Sequence, residues 1–128
     1  MAHGIAIVVG DDPLSIMGKH VIDYAQPEST YTRKNCDRAG VHKFLPSTKD
    51  GKLKSKIKAV DLDLAKLDWC PIAGVVTPVG WFTISDHGGV DEAYSPTNEL
   101  TKKKVVKMIK DLKEIYPDTL LTSFDCHF

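Results

Sequence analysis

The sequence predicts an α/β domain, with α+β as the alternative: a mixed sheet of about five strands and two main helices. Three observations predict it. Ile5 to Val9 reads IAIVV, an apolar run between glycines that suits a central strand buried on both faces. Ile72 to Ile84 is rich in Val, Ile, Trp and Phe, residues that favour strands. Val105, Met108, Ile109, Leu112, Ile115 and Tyr116 recur at helical intervals and predict a long helix with that stripe turned to the core.

The remaining elements follow in order. Asp12-Pro13 is an N-cap followed by proline at the first helical position, and Leu14, Met17, Val21 and Tyr24 continue a helix to about Ala25. Gly18 weakens that helix and Pro27 ends it. Residues Glu28 to Gly40 read as a polar loop, and Val41 to Leu45 as a short strand. Asp50-Gly51 is a hairpin-turn signal. Lys52, Lys54, Lys56 and Lys58 alternate with other residues, so a single strand would place all four on one face. Asp61 to Leu67 suits a helical turn or two. Pro78 interrupts Ile72 to Ile84, which is either two strands joined at Thr77 to Gly80 or one strand with an edge break. Asp86 to Ser95 is a glycine-bearing loop, Thr101 caps the long helix, Pro117 stops it, and Thr119 to Phe124 forms a last strand.

Composition narrows the function classes. The 128 residues suit one globular domain, 1–128, without repeats or linkers. Seventeen Lys and Arg balance seventeen Asp and Glu, which argues against nucleic acid as the partner. Cys36, Cys70 and Cys126 are too few and too far apart for a disulfide framework or a paired-cysteine zinc motif. The first apolar run is too short for a signal-peptide core, and none approaches the roughly 18 residues of a membrane span. The expected place is the cytoplasm, or a virion component assembled there.

Three groups of side chains carry chemical potential. Arg33 and Arg38 with Lys52, Lys54, Lys56 and Lys58 would suit a small anionic ligand. The same lysines also suit an exposed edge strand, where they discourage sheet-to-sheet aggregation. His87 and Asp91 flank two glycines, and Asp125 and His127 lie near the C-terminus; together they form a candidate zinc or divalent-metal set for a hydrolase. Against that set stands a solvated turn and a frayed tail. Asp11 and Asp12 follow strand one where α/β proteins often place ligands and would suit a cation, though simple helix capping by Asp12 is the favoured reading.

In sequence order these pieces resemble the zinc amidase fold of phage lysozymes and peptidoglycan-recognition proteins. That family has an apolar strand, a helix, and a Gly-Tyr-His-Phe-like strand closed by Asp-Gly; here Gly40-Val41-His42-Lys43-Phe44 precedes Asp50-Gly51. Its Ser-Ile-Gly-Ile-like strand is matched by Ile72-Ala73-Gly74-Val75-Val76. Tyr94-Ser95-Pro96 and Tyr116-Pro117 then frame the long helix, as a Tyr-Thr-Pro and a Tyr-Pro do in the family. The resemblance implies a zinc amidase, but the site positions depart. The first zinc histidine falls in Val8-Val9-Gly10, the catalytic tyrosine at Val41 and the second zinc histidine near Phe124; the third ligand would lie beyond Phe128. None of these side chains binds zinc or transfers a proton. The expectation is a non-catalytic protein with a degenerate amidase-like fold, needing no cofactor and acting by contact with another protein. A phage-encoded structural or inhibitory protein fits that description. The alternatives are the zinc-dependent hydrolase and the anion binder.

Overall fold

The computed structural model describes residues 3–20, 38–84 and 99–127. Strands are β1 (His3–Val9), β2 (Arg38–Val41), β3 (Leu45–Pro46), β4 (Leu53–Lys54), β5 (Lys56–Lys58), β6 (Ile72–Thr77), β7 (Gly80–Ile84), β8 (Glu99–Leu100) and β9 (Leu120–His127). Helices are α1 (Pro13–His20) and α2 (Lys102–Ile115), with two 3-10 turns at Ala59–Asp61 and Leu64–Lys66. The main sheet runs β2-β9-β1-β6-β7-β8, and β5 shares with β2 the position beside β9. Strands β3 and β4 pair separately across the Asp50-Gly51 turn. The predicted mixed α/β sheet is present, six positions wide.

The two central strands pair in opposite senses on either side of β1, which runs parallel to β6 and antiparallel to β9. Its side chains alternate between two cores. Ile5, Ile7 and Val9 join Ile57, Val75, Ile84, Leu121 and the α2 residues Val105 and Ile109 on one face. Ala6 and Val8 join Val76, Phe124, Cys126 and the α1 residue Met17 on the other. Among the described residues the sheet is thus covered by a helix on each side, which explains why the IAIVV run lacks polar alternation. A register slip opposite Ile5 and Ala6 inserts Ala73 as an extra residue in β6. Ile72 and Val75, three apart, therefore reach the same core.

Strand β9 departs most from expectation. The sequence suggested a strand ending at Phe124 and a loose tail, but β9 continues to His127, paired with β1 through its length and with β2 from Phe124 onward. Its outer edge changes partner at Ser123. The Ser123 N–H donates to the Ser55 carbonyl, while its own carbonyl accepts from the His42 N–H, both at 2.9 Å. Its hydroxyl donates to the His42 carbonyl, satisfying a fully buried polar side chain. Val41 to Leu45 is correspondingly not one strand: β2 ends at Val41 and β3 begins at Leu45.

Helix ends follow their sequence signals. The Asp12 carboxylate accepts from the Ser15 N–H at 3.2 Å, starting α1. The predicted continuation to Ala25 lies outside the described residues. Thr101 Oγ1 accepts from the Lys104 N–H at 3.2 Å, starting α2. Helix α2 ends at Ile115, and Ile115 and Tyr116 are 63% and 65% exposed, so the end of the predicted core stripe is on the surface. Val105 and Ile109 are its buried part, with Met108 and Leu112 half-buried beside them.

Candidate functional site

The anion-binding group is dispersed. Lys52 to Lys58 is not one strand: Lys54 lies in the small β3–β4 sheet, and Lys56 and Lys58 lie in β5 beyond a break at Ser55. Their common face is lost because each short strand answers to a different partner. Lys54 Nζ pairs with Asp50 at 3.0 Å across the hairpin turn, and Lys58 pairs with Asp118 at 3.5 Å. The Lys52 N–H donates to Asp50 at 3.0 Å. That bond, followed by Lys54, holds the Asp50 carboxyl below its ordinary range. Gly51, at φ +67°, supplies the left-handed backbone this turn requires. Arg38 lies opposite His127, and Lys56 opposite Thr122. Those register positions are five residues apart along β9, about 17 Å at strand rise. Arg33 lies outside the described residues.

The metal candidates are described only in part. His87 and Asp91 lie outside the described residues. Asp125 is half-buried in β9, opposite Ile5 and Gly40, and His127 is two residues further along the strand. The register also sets His3 opposite His127, a juxtaposition that residues 124 apart give no sequence signal for. Among the described residues no three His, Cys, Asp or Glu side chains are grouped to hold a metal ion. Asp11 accepts from the Leu120 N–H at 3.2 Å, tying the end of β1 to the start of β9, and Asp12 caps α1.

The structure instead draws attention to the outer side of α2. Overall charge balance conceals a segregation. Residues 43–66 hold seven lysines against three acids, and α2 holds six against two; the rest of the chain has four basic residues against twelve acidic ones. The fold joins the two lysine-rich segments. The Lys113 ammonium donates to the Leu62 carbonyl, and the Val60 N–H donates to the Pro117 carbonyl at 3.1 Å. Lys102 stands 5.3 Å from the Trp69 ring centroid. Lys103, Lys104 and Lys110 are exposed and make no ion pair among the described residues. Lys107 reaches Asp111 only at 3.9 Å. Counting charge by segment rather than over the whole chain would have revealed this feature.

Along the flank of α2 runs a groove of about 380 Å³ whose described lining includes Lys104, Met108, Leu112, Ile115 and Tyr116. Among the described residues no helix is long and apolar enough to cross a membrane. No protein family, curated protein or solved structure matches this chain.

Proposed function

We propose that the chain is a non-catalytic contact domain whose α2 side holds an acidic segment of a partner protein. The supporting observation is the concentration of exposed lysines on α2, three of them without an ion-pair partner among the described residues, beside the lysine-rich 43–66 segment. Lysines clustered in this way raise the local concentration of an anionic partner and orient its approach. The large apolar side chains exposed among them favour protein over nucleic acid as that partner. A degenerate amidase-like scaffold, with Gly10, Val41 and Phe124 where zinc amidases carry ligands and a tyrosine, is part of this proposal and does not count as support for it. The domain would then be a scaffold of that kind used for binding, with no cofactor required.

Fluorescence anisotropy with a labelled oligo-glutamate peptide tests the reading. Binding is expected at low salt, weakening steadily as salt rises. The double reversal Lys103→Glu with Lys104→Glu should abolish it, while Lys19→Glu with Arg38→Glu, which reverses the same charge outside both lysine-rich segments, should not. Absence of binding at low salt, equal sensitivity to both pairs, or tighter binding of oligothymidylate would each overturn the proposal.

A further inference from the structure

We infer that the acidic segment is amphipathic and that its apolar residues seat in the groove formed by Met108, Leu112, Ile115 and Tyr116; this rests on the function proposed above. The groove arises from a mismatch of lengths. The apolar stripe of α2 runs from Val105 to Tyr116, but only Val105 and Ile109 are fully covered by the sheet. Met108 and Leu112 are half-covered, and Ile115 and Tyr116 project beyond the core. These four positions form a continuous apolar surface because side chains three and four apart on a helix are neighbours.

The surrounding charge identifies the occupant. Lys104 and Lys107 rim the groove with Asp111, and Lys103 and Lys110 lie on the adjoining solvent face of the helix. A polyanion without apolar groups would satisfy the lysines and leave Ile115 and Tyr116 in water. A neutral apolar segment would cover those two and leave the lysines without counter-charges. A segment with apolar residues on one side and carboxylates on the other satisfies both. This is the arrangement by which amphipathic segments dock in grooves, with aromatic and aliphatic anchors at the centre and charge at the rim.

The test compares two peptides of equal charge and length, which carry the same glutamates interspersed at helical spacing with serines in one and with leucines in the other. The leucine-bearing peptide should bind about tenfold tighter. Ile115→Ser and Tyr116→Ser should remove that advantage while leaving the salt dependence unchanged, because apolar anchors release no counterions. Both residues are exposed, so an unchanged melting temperature will show that the variants remain folded; Ile115→Thr is the milder substitute if it changes. Equal binding of the two peptides would overturn this inference and leave the electrostatic proposal intact. Failure of both to bind would overturn the proposed function itself. A concentration-dependent dimer disrupted by the same serine variants would assign the groove to a second copy of the chain and also overturn the inference.

Discussion

The two faces of the central sheet share the same strands and bury their helices differently. On the α2 face, Ile5, Ile7, Ile57, Leu121, Val105 and Ile109 interdigitate, and Phe44, Trp69 and Leu64 extend the apolar surface toward the edge. On the α1 face the described core is narrower: Ala6, Val8, Met17, Val76, Phe124 and Cys126, with Ile16 and Trp81 packed alongside. Large branched side chains hold α2 away from the sheet and define a broad layer. On the other face Ala6 and Gly74 leave local room beside the larger Met17 and Phe124, and at Gly74 the Phe82 carbonyl and the Trp81 ring come into close approach. The proposed contact surface belongs to the α2 side, where the helix extends past the core that anchors it.

The largest expected effect probes the α2 face. Ile109→Ala removes a fully buried side chain from the helix–sheet contact and should destabilise by about 2–5 kcal/mol in chemical denaturation. Ile115→Ala, less than two turns further along, should cost under about 0.5 kcal/mol because its side chain is mostly in water. Similar losses at the two positions would show that the end of α2 is packed, and would remove the free groove on which the contact reading depends.

This contrast also marks what sequence could reveal. The α2 stripe, the Thr101 cap and the IAIVV strand were legible because each is decided by local periodicity or capping chemistry, and the hairpin at Thr77 to Gly80 was one of two readings that Pro78 allowed. The stripe could not show where coverage ends, since Ile115 has the right spacing and lacks only a sheet beneath it. Strand β9 was underestimated because Ser123 and Asp125 interrupt its apolar pattern. They are accommodated by long-range partners: Ser123 by Ser55 and His42, and Asp125 by its place opposite Gly40 and Ile5. The lysine run was over-unified because alternation specifies a face only while the strand continues, and here it breaks at Ser55. The candidate site was least legible, since whole-chain charge balance hides the lysines of α2 and periodicity does not show that Ile115 and Tyr116 stay uncovered.

A smaller effect tests the close approach on the α1 face. Gly74 lies opposite Ala6, and a Cβ there would come within 2.5 Å of the Phe82 carbonyl oxygen and 3.0 Å of the Trp81 ring. The carbonyl belongs to the neighbouring strand, so it cannot move aside as a flexible side chain would. Gly74→Ala should therefore destabilise by about 1–3 kcal/mol, as overpacking does, with a change in the tryptophan fluorescence as Trp81 is displaced. Unaltered stability and fluorescence would show that this face has room, and the proposed difference in packing between the two faces would fail.

The smallest expected effect concerns the same face at β9. Thr122 projects there by alternation with Phe124, opposite Val8 in β1 and Lys56 in β5. It is fully buried, and its hydroxyl is without a hydrogen-bond partner among the described residues. A buried hydroxyl left unpaired carries its desolvation cost with no return, whereas a methyl of nearly the same shape carries none. Thr122→Val should thus be neutral or raise stability by up to about 1 kcal/mol, in contrast to the losses expected at Ile109 and Gly74. The matching change on the opposite face, Ser123→Ala, should lower stability, because the Ser123 hydroxyl is bonded to the His42 carbonyl. A clear loss in Thr122→Val would mean that its hydroxyl finds a partner in solution. Adjacent residues of one strand would then both be satisfied, and the contrast between the two faces would rest on side-chain size alone.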